Sequence, residues 1–187
     1  DAFVGNPPFV GGQRIATTHG SAYAAWLRVV HPDASGNVDL AAHFLRRAFD
    51  LLRPGGRVGF IVTNTIAQGD TRRGGLEAIV ARGGRIVEAR AREPWPGDAA
   101  VVTSLVFVEA PRAGGSARTE PAILDGVKVR HISPYLRAEG HDAPPPRLVA
   151  VPKRAFIGCF VRGVGFTFDD ATDGALSLAE MREALRA

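Results

Sequence analysis

The tetrapeptide Asn6-Pro7-Pro8-Phe9 brings together groups that can hold an amino group beside a flat ring. Each proline fixes its own φ at about −65° and keeps the preceding residue extended, so the turn is stiff. The prolines offer carbonyls without an N–H, and Asn6 adds a side-chain carbonyl and an NH2 group. Phe9 supplies an apolar ring face next to these acceptors. We therefore expect a pocket for a planar heterocycle that carries an exocyclic amine.

The position of this turn also favours a ligand site. The apolar residues 2–5 predict a short buried strand that ends at Asn6. Ligands of open α/β sheets bind outside the carboxyl ends of the strands, which is where this turn would lie. An ordinary rigid loop explains the same residue types, and the tetrapeptide alone leaves both interpretations open.

The remaining chain alternates between helical and strand patterns of apolar residues, which predicts a parallel sheet with helices on its faces. Helices are predicted over residues 21–30, 38–53, 76–82 and 177–186, and strands over 2–5, 57–63, 85–92, 101–109 and 123–132. Strand 57–63 is apolar throughout its centre, so we expect it to be buried on both faces. The short connection before strand 101–109 predicts an antiparallel last strand.

The segment between the turn and the long helix is the least regular part of this pattern. Residues 10–13 read as a flexible continuation of the turn. The whole segment 10–37 is long for a strand-to-helix connection, and such segments are often lids or binding loops. A structural excursion that covers the sheet is an equally good interpretation.

Charge and composition limit the classes of function. The formal net charge is +4, and the basic residues are 21 arginines against two lysines, Lys128 and Lys153. Arginine pairs bidentately with phosphate, so this balance permits nucleic-acid binding without establishing it. No signal peptide or membrane-length apolar run is present, and the single cysteine, Cys159, excludes an internal disulfide. These features predict a cytoplasmic protein with no membrane partner.

Metal and nucleophile chemistry lack candidate residues. The five histidines do not fall at zinc-ligand spacings, and Cys159 has no second cysteine to complete a site. We therefore predict no metal. Cys159 also lies far from any Pro-Cys turn, so a covalent cysteine intermediate on a pyrimidine ring has no candidate.

Two shifts in composition predict the domain organisation. Residues 111–120 are rich in Gly, Pro, Arg and Ser, and residues 141–146 contain three consecutive prolines. We take the first of these as a linker between domains. The chain begins at Asp1 on the edge of an apolar run, so we expect it to be a piece of a longer protein.

Three segments together carry a resemblance to a known family. They are the turn at Asn6 to Phe9, the helix ending at residues 51–56 (Leu-Leu-Arg-Pro-Gly-Gly), and residues 62–69 (Val-Thr-Asn-Thr-Ile-Ala-Gln-Gly). In these the chain resembles the adenine-N6 DNA methyltransferases, most closely the large single-chain enzymes that fuse methyltransferase and target-recognition regions for restriction-modification. The resemblance covers residues 1–110 well and extends more weakly over 156–166.

This resemblance implies the C-terminal half of a Rossmann-like methyltransferase sheet that uses S-adenosylmethionine. Residues 1–110 would form the catalytic-motif half, 111–120 the linker, and 121–187 the start of a target-recognition region. The implied partners are double-stranded DNA and the remainder of the parent chain. The implied activity is methylation of adenine N6 within a restriction-modification or phage-defence enzyme.

The resemblance also implies roles for individual residues. Asn6, Pro7, Pro8 and Phe9 form the family's catalytic motif, in which the Asn6 side-chain oxygen and the Pro7 carbonyl accept the two amino hydrogens. Phe9 would stack on a target base flipped out of the duplex. Trp95 matches a second aromatic contact to that base. Asp39 lies near where the family contacts the cofactor, which Asn6 would also approach.

The family's glycine-rich cofactor loop and ribose-binding acid precede the catalytic motif, and neither is in these 187 residues. We therefore expect the chain alone to bind S-adenosylmethionine poorly and to transfer no methyl group. Two alternatives stay open at this point. One is an N-methyltransferase that acts on an RNA base or a protein glutamine, and the other is a non-catalytic DNA-specificity module.

Overall fold

The computed structural model describes residues 1–114, 120–138, 142 and 168–186. Contacts divide the chain into two compact units, Asp1–Pro145 and Pro146–Ala187. The predictions for Cys159 and for residues 156–166 lie outside the described residues. None of the described helices is long and apolar enough to cross a membrane.

The first unit contains the predicted succession of strands and helices, with one additional helix before residue 21. The helices are α1 (Gly12–His19), α2 (Ser21–Val30), α3 (Leu40–Asp50), α4 (Gly69–Arg72) and α5 (Ala78–Ala81). A 3₁₀ turn spans Asn64–Ala67, and a π-helical turn, Arg73–Glu77, joins α4 to α5. The strands are β1 (Ala2–Gly5), β2 (Arg57–Thr63), β3 (Arg85–Pro94), β4 (Val102–Glu109), β5 (Ala122–Leu124) and β6 (Val127–Val129).

These strands form one six-stranded sheet in the order β1-β2-β4-β3-β5-β6. β1 pairs parallel with β2, while β4 lies between β2 and β3 and pairs antiparallel with both. The antiparallel orientation of β4 was predicted from the short connection that precedes it. Its position between β2 and β3, which both come earlier in the sequence, was not predicted. As a result, the carboxyl ends of β1, β2 and β3 all point to one edge of the sheet.

One face of the sheet carries the hydrophobic core. α3 packs its apolar stripe, including Leu45 and Phe49, against Val58 and Val62 of β2 and Val106 of β4. The helical run over residues 69–81 begins earlier than its apolar pattern predicts. Two glycines inside its π-helical turn permit close packing, since a Cβ on Gly74 would lie 2.6 Å from the Val38 side chain.

Two predictions of burial are wrong, one for β2 and one for β1. Ile61 and Leu105, on the other face of β2 and β4, are half-buried, so β2 is not buried on both faces by the described residues. β1 was predicted to be buried, but Phe3 is 40% and Val4 is 83% exposed. The physical reason is topological, because β1 lies at the end of the sheet and β2 is its one neighbour among the described strands.

The sheet continues beyond the predicted linker. The segment predicted as one strand, 123–132, is a hairpin of β5 and β6 whose turn contains Asp125 and Gly126. β5 pairs parallel with β3, so these residues extend the sheet of the first unit. The predicted boundary at residue 110 therefore lies within that unit, which extends to Pro145.

The second unit is described over residues 168–186. Its helix α6 (Leu178–Ala184) begins at a capping box in which Ser177 and Glu180 bond reciprocally. This confirms the helix predicted over 177–186, with slightly shorter bounds.

The segment after the turn is ordered into a helical hairpin, which corrects the prediction that residues 10–13 are flexible. α1 begins at Gly12, and Ile15, Leu27 and Leu40 form a small core beneath α1 and α2. Gly12 lies directly against the Asn37 backbone, where a Cβ would come within 2.6 Å of the carbonyl oxygen. The hairpin can therefore close on the start of α3 because residue 12 has no side chain.

We predict that Gly12→Ala lowers the free energy of unfolding by about 1–3 kcal/mol, because backbone atoms cannot move aside as a flexible side chain can. Gly11→Ala is the matched control, since a Cβ at Gly11 meets nothing within 4 Å. Urea denaturation of the 187-residue chain measures both. Equal stability of the two variants would show that the close approach imposes no constraint.

Two buried histidines join α2 to α3. The Nδ1 atoms of His31 and His43 lie 2.8 Å apart, and the rings stack with centroids 5.1 Å apart. One Nδ1 must donate and the other accept, so protonation of both rings would place two N–H groups against each other. Burial is the main factor that lowers the pKa of both histidines, with the charge of Arg46 acting in the same direction, and it brings the pKa of His43 from 6.5 to about 4.

We predict that this pair makes stability depend on pH between about 6.5 and 4. The unfolded chain binds a proton at His43 near pH 6.5 and the folded chain only near pH 4, so stability present above this window is lost as pH falls through it. In His43→Gln the loss across the window should be smaller by about 2–3 kcal/mol.

His19→Gln is the matched control, because His19 is exposed on α1 and should leave the pH dependence of the wild type intact. Denaturation curves at several pH values in this window give the comparison. The same pH dependence in His43→Gln and wild type would contradict the assignment to the buried pair.

Candidate active site

The turn lies at the carboxyl edge of the sheet, which is the edge where the carboxyl ends of β1, β2 and β3 meet. Asn6 follows β1 directly and is exposed, and no described residue forms a hydrogen bond with its side chain. Pro7 is buried, and Phe9 is half-buried against the main core. The turn is therefore anchored through its apolar residues, while the amide of Asn6 faces outward with its donor and acceptor groups available.

A buried carboxylate fixes the exit of this turn. Asp39, which is 6% exposed, caps α3 by accepting a hydrogen bond from the Ala41 N–H at 2.9 Å. The same carboxyl group accepts hydrogen bonds from the Val10 N–H and the Thr63 hydroxyl. Val10, immediately after Phe9, also accepts a hydrogen bond from the Leu40 N–H at 2.9 Å. Asp39 thus ties the turn to the start of α3 and the end of β2.

Asp39 also contacts a fourth segment, α4. Its backbone N–H donates a hydrogen bond to the Thr71 hydroxyl at 3.2 Å. We refer to Val10, Asp39, Ala41, Thr63 and Thr71 as the Asp39 cluster. Thr63 lies 2.8 Å from the Thr65 hydroxyl. When Thr63 donates to Asp39, Thr65 can donate to Thr63, so a short polar chain runs from the cluster along the sheet edge.

Burial raises the pKa of Asp39, and the hydrogen bonds from Ala41, Thr63 and Val10 oppose that rise. A buried carboxylate without such donors would be costly, so the three donors are what permits an acid at this position. The expectation that Asp39 contacts a cofactor stays a prediction. Its observed contacts give it an anchoring role within the protein.

Trp95 lies at the same edge of the sheet, just beyond the end of β3. Its backbone N–H donates to the Val101 carbonyl, and the half-buried ring lines a pocket of about 330 Å³ with Ile61, Arg90 and Leu105. β3 is three strands from β1, a separation of roughly 14 Å at normal strand spacing. The structure thus places Trp95 and the turn on one edge, without direct contact between them.

The turn, Asp39 and Trp95 are the residues predicted from the sequence, whereas the groups that hold them in place were not predicted. Asp39 directly before an apolar helical pattern is a recognisable N-cap signal. Its other partners, Val10, Thr63 and Thr71, are brought to it by tertiary structure and carry no local pattern. Across the described ranges, no cluster of three or more His, Cys, Asp or Glu residues is arranged to hold a metal ion.

Part of the chain is similar in sequence to a known protein family. Residues 1–80 match the family described as Eco57I restriction-modification methylase. Over these residues the chain is therefore similar in sequence to restriction-modification methylases. The match covers the turn, Asp39 and β2, and confirms over these residues the methylase resemblance predicted from the sequence. No curated protein matches the chain.

Two solved structures of restriction-modification enzymes align with the chain. The Type IIL restriction-modification enzyme MmeI, determined in complex with DNA, aligns with a TM-score of 0.60 and 22% identity. The alignment covers 76% of this chain and 20% of MmeI. The ATP-dependent Type ISP restriction-modification enzyme LlaBIII, bound to DNA, aligns over 59% of this chain and 9% of its own length, with a TM-score of 0.40 and 17% identity.

At this identity the likeness to MmeI concerns the fold. It confirms the predicted class, a Rossmann-like α/β sheet that combines parallel and antiparallel strands. The chain spans about a fifth of the length of MmeI.

We predict that Asp39→Ala lowers the free energy of unfolding by about 2–3 kcal/mol, because it removes the α3 cap and leaves the N–H of the half-buried Val10 without its acceptor. Asp39→Asn keeps one carbonyl acceptor and should lose less. Asp98→Ala, in the exposed loop after Trp95, is the control and should change stability by at most about 0.5 kcal/mol. Equal free energies of unfolding for Asp39→Ala and Asp98→Ala, measured by urea denaturation, would contradict the anchoring role.

Proposed function

We propose that this chain is the catalytic-motif part of a DNA methyltransferase that transfers a methyl group from S-adenosylmethionine to adenine N6 within a restriction-modification enzyme. The observation that carries the proposal is the stiff turn Asn6–Phe9, which presents an exposed Asn6 at the carboxyl ends of the strands, inside a segment that matches restriction-modification methylases. MmeI, with the same fold, was solved with DNA, and this supports duplex DNA as the partner.

The turn supplies acceptors suited to a base amine. An aromatic amine is a poor nucleophile because its lone pair is delocalised into the ring. Hydrogen bonds from its two hydrogens to the Asn6 side-chain oxygen and the Pro7 carbonyl favour a tetrahedral nitrogen whose lone pair is directed at the methyl donor. No residue of the turn titrates, so we assign the released proton to solvent, and catalysis is positioning with electrostatic stabilisation.

The apolar residues of the turn serve the base itself. The base must leave the duplex to reach Asn6, and Phe9, fixed against the core, offers a ring on which it can stack. In this proposal Trp95, on the same edge, contacts the base or its surroundings through the pocket that it lines with Ile61 and Leu105.

The cofactor fits this arrangement as a ligand shared with the rest of the parent protein. S-adenosylmethionine, when bound, supplies a methyl group on a positively charged sulfur. The free acceptor of Asn6 suits the neighbourhood of that charge, whereas the carboxylate of Asp39 already accepts three internal hydrogen bonds. We propose that the glycine-rich loop of the parent completes the site from strands beside β1, whose outer edge is unpaired within the described residues.

We predict that Asn6→Ala in the parent protein lowers kcat for methyl transfer to duplex DNA by about 10²–10³-fold, the typical effect of removing one preorganised hydrogen-bonding group. DNA affinity should change little, since Asn6 acts on one amine. Incorporation of labelled methyl groups into DNA, followed by identification of the methylated nucleoside, measures the outcome.

Gln13→Ala is the matched control, because it removes an exposed amide just beyond the turn. Parallel reactions with RNA and with glutamine-containing peptides test the other methyl acceptors. Methylation of RNA or peptide in preference to DNA would overturn the substrate assignment. Unchanged kcat in Asn6→Ala would overturn the catalytic assignment itself.

A further inference from the structure

An apolar groove between α2 and α3 lies outside the turn and has no role in the mechanism above. It has a volume of about 170 Å³, and its walls include Tyr23, Trp26, Phe44 and Arg47. Trp26 is 52% and Phe44 is 41% exposed, which is unusual for large apolar side chains that meet in one concave surface. The volume is below the 300–1,000 Å³ or so of small-molecule sites, so the groove suits a single ring projecting from a larger partner.

The groove presents aromatic surface in an ordered stack. The rings of His19 and Tyr23 lie 5.6 Å apart at 27°, and those of Tyr23 and Trp26 lie 5.6 Å apart at 22°. This stack runs along α1 and α2 to the groove. Flat rings held in this way favour a planar partner that can stack, which is how proteins bind unpaired bases without reading their sequence.

Its floor adds a polar group that suits the edge of a heterocycle. His31 and His43 line the groove, and His31 is 2% exposed. His31 Nε2 has no hydrogen-bond partner among the described residues. The Nδ1 contact with His43 decides whether that Nε2 carries a proton, so it can donate to or accept from a ligand.

Charge indicates the kind of partner. No Asp or Glu occurs between residues 2 and 32, a segment that contains Arg14 and Arg28, and Arg47 borders the groove. Of the acidic residues near the ends of α2 and α3, Asp33 pairs with Arg46 and Asp50 with Arg82, so these two carboxylates are neutralised locally. A basic rim around apolar rings is complementary to a polyanion that carries heterocycles.

The hairpin that forms the groove is fixed to the turn. α1 begins three residues after Phe9, and Val10 packs against the small core of Ile15, Leu27 and Leu40. DNA that delivers a base to Asn6 would therefore pass near α1 and α2. Resting on the function proposed above, we propose that the groove between α2 and α3 binds an unpaired base of the same DNA, stacked by Tyr23 and Trp26, with Arg47 at the adjacent phosphate.

The test measures binding of the 187-residue chain to a short labelled duplex with one unpaired adenine and to the same duplex fully paired. Wild type should bind the first more tightly by about tenfold, within the range expected for stacking of one base. Trp26→Leu and Tyr23→Leu should reduce that preference about fivefold or more. Arg47→Gln should weaken binding to both duplexes alike and reduce the salt dependence.

Val29→Ala is the matched control, since Val29 is 79% exposed on α2 and does not line the groove. Thermal unfolding of each variant identifies any loss of fold. In a Trp95→Phe chain, Trp26 is the remaining tryptophan, and its fluorescence should change when the duplex with the unpaired adenine is added. Because Trp95 does not line the groove, this second measurement tests binding in a chain whose groove is unchanged.

Equal binding of the two duplexes by wild type, full preference in Trp26→Leu, or unchanged Trp26 fluorescence would each overturn the proposal. A loss of self-association in Trp26→Leu with no change in DNA binding would assign the groove to protein contacts and overturn it as well. The binding test uses no methyl donor, so its failure is distinct from a failure of Asn6-dependent methylation.

Discussion

The buried carboxylate of Asp39 is the constraint on which the geometry of the candidate site depends. The turn follows β1, a strand that pairs with β2 on one side, and is held by the packing of Pro7 and Phe9 together with the contacts of Asp39. Through Val10, Ala41, Thr63 and Thr71, Asp39 connects that turn to α3, β2 and α4. Val10, Ala41 and Thr63 donate to the carboxylate, while the Thr71 hydroxyl accepts from the Asp39 backbone N–H, so removal of the acid would leave three donors unpaired at once.

Close backbone packing also fixes the position of the residues just before Asp39. Gly12 lets α1 rest on the Asn37 backbone, and Gly74 lets the residue 69–81 helical run approach Val38 on the opposite side. These contacts place two glycines against residues 37 and 38, immediately before Asp39. The start of α3 is thus held between two elements, and the carboxylate position follows from packing as well as from hydrogen bonds.

Local patterns in the sequence predicted most of the elements. α2 and β2 have the predicted bounds, and the antiparallel β4 follows from a connection too short for a crossover. Contacts between distant segments were not predictable in the same way. The place of β4 between β2 and β3, the pairing of His31 with His43 and the donors to Asp39 depend on residues far apart in sequence. The exposure of Phe3 and Val4 was also missed, because an apolar run does not show whether its strand lies at the end of a sheet.

The central claim is that the Asp39 carboxylate holds the exit of the Asn6–Phe9 turn through the Val10 N–H. Amide hydrogen exchange of Val10 in the 187-residue chain tests this most directly, because exchange reports the opening of that one bond. We expect the Val10 amide to be protected in the wild type and to exchange much faster in Asp39→Ala, while amides in the centre of β4 keep their protection under the same native conditions. Unchanged protection of Val10 in Asp39→Ala would contradict the account.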